Sequence, residues 1–336
     1  MLIHLGVSAF FATAPLAACG GASGGASPAP PPVAAPPAAP YPAGPSDQGL
    51  TMAGVARQYR VHVPAGLSTP RAIVLVLHGG GGEGLNVSSG HPLSAFRTVA
   101  DREGFVVYPG GLPARDAEGN PGWVDCRADN TVASDADDVG FLAALIERVR
   151  GEYGLAPSRV FMAGGSNGAQ MTHAFAFQRA DLVAAVATSA GSLPLVPRSG
   201  GCTTGPGRAL PILIAHGTAD TQMPWAGGCV ANIGGACNRG RVISALATRD
   251  RWLQINGLAS ATPTQTVVEL ATADGGPANR FDYAGPNPVQ WWRLDGAGHT
   301  VASRTVAVPT NALAGIQNRD IEFAEVAWAF FAARLP

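Results

Sequence analysis

From residue 57 onward, short apolar runs alternate with longer segments whose apolar positions fall three and four apart. Residues 57–64 (RQYRVHVP) alternate polar and apolar, the period of a half-buried edge strand. Residues 71–78 (RAIVLVLH) form an unbroken apolar run, as does GFVVY at 104–108; such runs predict strands covered on both faces. Residues 139–153 carry Phe141, Leu142, Leu145, Ile146 and Val149 at helical spacing, with Asp137 and Asp138 in front as capping carboxylates. The pattern continues with a strand over 159–163, a helix over 167–179, and strands over 182–189 and 211–216. A helix through 241–255, strands near 265–270 and 289–294, and a last helix over 320–334 complete it. Solid apolar strands alternating with helices predict an α/β fold, a mostly parallel central sheet with helices on both faces.

The first 47 residues break this pattern. Residues 1–19 hold an apolar stretch of signal-peptide length, without Lys or Arg before it, that ends in Leu16-Ala17-Ala18-Cys19. That ending resembles the bacterial lipoprotein processing box and implies lipidation at Cys19. Membrane contact would then run through the acyl anchor rather than a spanning helix. Residues 20–47 are rich in Gly, Ser, Pro and Ala, the composition of a tether that builds no core. Residues 48–336 are left as one catalytic-sized domain.

Charge and cysteines narrow the chemistry. Net charge is −1 and all 22 basic residues are Arg, so nothing points to nucleic acid, and Lys Schiff-base or P-loop chemistry is excluded. Besides Cys19 there are Cys126, Cys202, Cys229 and Cys237. In an exported chain, four cysteines suggest two disulfides. Cys229 and Cys237 enclose a short Gly-rich loop and are the favoured pair, leaving Cys126 with Cys202. Neither C-x-x-C nor H-E-x-x-H occurs, so no metal or cofactor is expected.

Three stretches carry the candidate chemistry. Residues 164–168 (GGSNG) are G-x-S-x-G between a predicted strand and a predicted helix, the setting of a nucleophile elbow. There Ser166 would stand exposed and the Asn167 N–H would face a developing oxyanion. Residues 78–82 (HGGGG) follow the strongest strand and could supply a second donor. Gly79, Gly81 and Gly84 also satisfy a dinucleotide fingerprint, but the strand after them is followed by PGGLPAR, without the ribose-binding acid. Asp220 follows the strand at 211–216, and His299 lies in a Gly-rich loop after another strand. The order Ser, Asp, His is that of α/β-hydrolases. His173 is two helical turns from Ser166, about 10 Å along the axis, and His299 is the histidine best placed as base. Asp295 is the runner-up to Asp220 as acid.

Together LHGGGG, GWVDC, DADDVGF, GGSNGAQM, HGTADTQMPW and GAGH resemble, in order, the polyhydroxybutyrate depolymerase / feruloyl esterase family of secreted α/β-hydrolases. The resemblance implies the α/β-hydrolase fold and an ester substrate. It implies Ser166 as nucleophile, Asp220 as acid, His299 as base, and Gly80 and Asn167 N–H groups as the oxyanion hole. It also implies that Trp123 and Trp225 line the substrate pocket. The rival readings are a non-catalytic binding lipoprotein on this scaffold and a serine peptidase.

Overall fold

The computed structural model describes residues 40–81, 90–109, 121–231 and 235–336. The signal and lipidation expectations at 1–19 lie outside these residues, as does most of the 20–47 segment. Residues 38–336 form one compact unit.

Its strands are β1 Gly44–Met52, β2 Val55–Val63, β3 Ile73–Leu77, β4 Phe105–Pro109, β5 Val160–Gly165, β6 Ala185–Ser189 and β7 Ile212–Gly217, then β8 Gly228–Cys229, β9 Arg241–Val242, β10 Thr264–Val268, β11 Ala278–Tyr283 and β12 Val289–Leu294. Its helices are α1 Ala95–Glu103, α2 Asp138–Tyr153, α3 Asn167–Arg179, α4 Gly201–Thr204, α5 Ala245–Ile255 and α6 Phe323–Ala332. Ten strands make one sheet in the order β1-β2-β4-β3-β5-β6-β7-β12-β11-β10. The six from β4 to β12 run parallel, and antiparallel pairs close both edges.

The apolar runs are buried on both faces by the period-two geometry of a strand. Ile73, Leu75 and Leu77 of β3 pack into one cluster with Phe141 and Leu145 of α2, Phe175 of α3 and Trp252 of α5. Val74 and Val76 of the same strand pack into the opposite cluster with Phe96 of α1 and Phe331 of α6. One apolar run therefore serves two cores.

Several expectations change: the helix expected through 241–255 starts only at Ala245, because Arg241–Val242 form β9 and Ser244 caps the helix. The residues 57–64 strand is not an edge: β1 covers it in continuous antiparallel register from Gly44↔Val63 to Met52↔Val55. Residues 44–47 of the segment 20–47, whose composition suggests a tether, are therefore part of a strand, and Tyr41 is buried in the core. Of the two acids before α2, Asp137 caps the helix by accepting from the Gly140 N–H at 2.8 Å. Asp138 instead pairs with Arg57 at 2.6 Å with both side chains buried, tying α2 to β2. The four predicted disulfide cysteines pair as Cys126–Cys202 and Cys229–Cys237. Two such bonds fit an oxidising compartment.

Candidate active site

Parallel strands deliver their C-terminal ends to one edge of the sheet, where loops can converge. Ser166 sits at the junction of β5 and α3 with φ 55° and ψ −123°, a region L residues rarely adopt. Close packing forces that corner. A Cβ on Gly164 would lie 2.3 Å from the Gly168 carbonyl oxygen, and one on Gly168 would lie 2.4 Å from the carbonyl oxygens of Leu77 and His78. Only glycine lets the start of α3 rest directly on the end of β3.

Asp220 follows β7 and His299 follows β12, so strands adjacent in the sheet bring them together. Ser166 Oγ lies 2.8 Å from His299 Nε2, and His299 Nδ1 lies 2.8 Å from Asp220 Oδ2. A carboxylate only accepts, so Nδ1 carries the proton and Nε2 accepts from the serine hydroxyl. The other Asp220 oxygen accepts from the backbone N–H groups of Gln222 and Met223 at 3.0 and 2.8 Å. Asp220 is thus fully buried yet hydrogen-bonded, with its geometry fixed by its own loop. His216 lies 3.5 Å from it and donates to the Met223 carbonyl oxygen at 2.9 Å. Burial holds the His216 imidazole below its ordinary pKa, against the pull of the Asp220 charge. Asp295 takes no part in this chain: it accepts from Arg293 and Asn279.

A cleft of about 400 Å³ opens over the serine, with Ser166, His299, Gly79, Gly80, Asn167 and Trp123 in its lining. The Asn167 N–H is the first orphan donor of α3. Gly79 packs so closely that a Cβ there would come within 3.2 Å of Ser166 Cβ. Trp123 lines the cleft but is only 2% exposed, and its indole N–H donates to the His78 carbonyl oxygen at 2.9 Å. Trp225 does not line the cleft, contrary to expectation. Its ring packs instead against His216 and Trp291 at centroid distances of 6.0 and 5.8 Å, beside the Asp220 loop. Gly82, the last glycine of HGGGG, lies outside the described residues.

Other residues of the cleft lining include His91 and Arg127, to which the sequence assigns no role. His91 lines the cleft, and its Nδ1 accepts from the Leu93 N–H at 3.1 Å. Arg127 lines it too, held by Asp125. For Arg127 the sequence signal is an acid and a base flanking Cys126. No metal-binding cluster of His, Cys, Asp or Glu occurs among the described residues.

A serine on a strained strand–helix corner, with an acid and a histidine following in chain order after neighbouring parallel strands, is the arrangement of the α/β-hydrolase fold. Comparison with solved structures agrees. The acetyl xylan esterase from Aspergillus awamori matches with a TM-score of 0.54 at 20% identity, over 76% of this chain and 94% of that one. At that identity the likeness establishes the fold. No protein-family model matches the chain.

Sequence relatives are more specific. Over 127 residues the chain is 32% identical to feruloyl esterase B of Piromyces equi, covering 37% of this chain and 23% of that protein. Over 177 residues it is 29% identical to feruloyl esterase C of Emericella nidulans, covering 51% and 58% respectively. The chain thus spans about a quarter of the first relative and somewhat over half of the second. The resemblance to feruloyl esterases read from the motifs holds in these relatives, at low identity.

Proposed function

We propose that the protein is a serine carboxylic-ester hydrolase. The observation that carries this reading is the hydrogen-bonded chain Ser166–His299–Asp220 opening into the cleft. Ser166 Oγ attacks the ester carbonyl carbon while His299 Nε2 takes its proton. Asp220 holds the imidazole in the required tautomer and stabilises the cation that forms. The carbonyl oxygen becomes an oxyanion facing the backbone N–H groups of Gly80 and Asn167, which are fixed before the charge develops. His299 then protonates the leaving alcohol. Water repeats the sequence on the acyl-enzyme and frees the acid. No cofactor enters any step.

The names of the relatives favour feruloyl or acetyl esters as the substrate class. A panel of methyl ferulate, acetylated xylan, polyhydroxybutyrate, short p-nitrophenyl esters and a matched peptide substrate ranks these acyl groups and separates an esterase from a peptidase. Ser166→Ala is expected to abolish p-nitrophenyl butyrate turnover while the circular dichroism spectrum and melting temperature hold. Retained turnover in that variant overturns the reading. The two disulfides, together with the apolar start and Leu-Ala-Ala-Cys19, support export and a lipid anchor at Cys19.

A further inference from the structure

Resting on that reading, we infer that Asp125 is the positioning residue of the oxyanion hole, acting through a strut formed by residues 121–127. The two proposed donors come from different parts of the chain, Gly80 after β3 and Asn167 at the start of α3. The same short strut touches both. On the Gly80 side, Pro121 O accepts from the Gly81 N–H at 2.8 Å, and the Trp123 indole N–H donates to His78 O at 2.9 Å. These two bonds bracket Gly80. On the Asn167 side, the Trp123 N–H donates to Asn167 Oδ1 at 2.7 Å, and Asn167 Nδ2 donates back to Trp123 O at 3.1 Å. The spacing between the donors is therefore set by the strut.

Asp125 fixes the strut in that position. Its Oδ2 accepts the second Asn167 Nδ2 proton at 2.9 Å, so every hydrogen-bonding position of that amide but one lone pair is used. Its remaining capacity is filled by Arg127, through the backbone N–H at 2.9 Å, Nε at 3.0 Å and Nη2 at 2.7 Å. Both residues are only 4% exposed. Between them Cys126 is bonded to Cys202, and its carbonyl oxygen accepts from the Arg198 N–H at 2.8 Å. A buried carboxylate held by a buried guanidinium has little room to relax. That rigidity suits an oxyanion hole, whose donors act only when aimed at the tetrahedral oxygen rather than at the flat carbonyl.

The oxyanion's charge develops only in the transition state, so loss of the strut acts on kcat and spares KM. Asp125→Ala alone would strand a buried Arg127 charge, so the test pairs it with Arg127→Met. A second variant, Asn167→Ala, keeps the backbone N–H and removes only the clamp. Both are expected to lower kcat for p-nitrophenyl butyrate about 10- to 100-fold, a fraction of the loss from deleting a donor, with KM within about threefold. Affinity for an arylboronic acid, which forms a tetrahedral adduct on Ser166, should fall by the same factor. Affinity for the flat product acid should hold. Hydrogen exchange at Gly81, whose N–H is held by Pro121 O, measured in a Ser166→Ala background, should quicken at least tenfold in both variants. Unchanged exchange with kcat retained within twofold overturns the inference. If the double variant does not fold, Asn167→Ala decides alone. Wild-type protein without Ser166-dependent hydrolysis would instead sink the esterase reading, while the exchange result would still judge the strut.

Discussion

Three histidines illustrate how burial sets protonation one residue at a time. Burial takes His173 down to about 3, where Trp252 Nε1–H donates to its Nδ1 at 3.1 Å. Burial takes His91 down to about 4. His216 moves in the same direction. In the unfolded chain each returns to its ordinary range near 6.5. Between the folded and unfolded values the unfolded state binds more protons, so folding stability rises with pH. It is fully present above about pH 6.5 and is lost as pH falls toward 4. Urea midpoints taken from pH 7 to pH 4 should therefore decline steadily. Asn at position 173 can still accept from Trp252 but does not titrate, so His173→Asn should flatten the decline. An equally steep fall in that variant would place the acid sensitivity elsewhere.

At the scale of elements, the contact that matters most is the start of α3 against the end of β3. Gly168→Ala pushes a methyl into the carbonyl oxygens of Leu77 and His78. We expect about 2–4 kcal/mol of destabilisation, because the neighbours are backbone and cannot rotate away. Catalysis should fall as well, since Asn167 would move with the helix. Gly151 of α2 has open space where its Cβ would be, so Gly151→Ala should be neutral or stabilising by about 1 kcal/mol. Equal stability of the two variants by denaturant unfolding would contradict this account. Most elements were legible in the pattern, including the start of α3 at Asn167. Those missed have more than one physical cause. β1 reads GPSDQGLTM, and β11 reads ANRFDY; both lie in the antiparallel pairs outside the parallel core. Such strands mix polar and apolar residues, so their few buried side chains form no continuous apolar run. α1 shows its buried face only at Ala95, Phe96, Val99 and Ala100, too short a stripe to stand out.

For the whole molecule, the N-terminal composition leads to a prediction about location. Lipidation at Cys19 would hold the protein in a membrane fraction, and Cys19→Ser should release it to the soluble fraction with esterase activity intact. An unmodified mass for the mature wild-type protein would refute the anchor. No helix among the described residues is long and apolar enough to cross a membrane.

Sequence alone determined the alternation of strand and helix, the glycine-bounded serine, and the order Ser166, Asp220, His299. Each is a local property: periodicity, small residues where a corner needs them, and loops that follow strands. The two disulfide partnerships were also within reach, because four cysteines with one short loop leave few choices. Only tertiary structure decided which long-range partners each side chain meets. Trp225 lies beside the Asp220 loop, Trp123 belongs to the strut, Asp138 to Arg57, and Asp125 to Asn167. The partners in the last pair are 42 residues apart, and they meet because parallel strands bring their following loops to one edge of the sheet. A hydrogen bond depends on distance and angle in space, and neither is written in the spacing of residues along the chain.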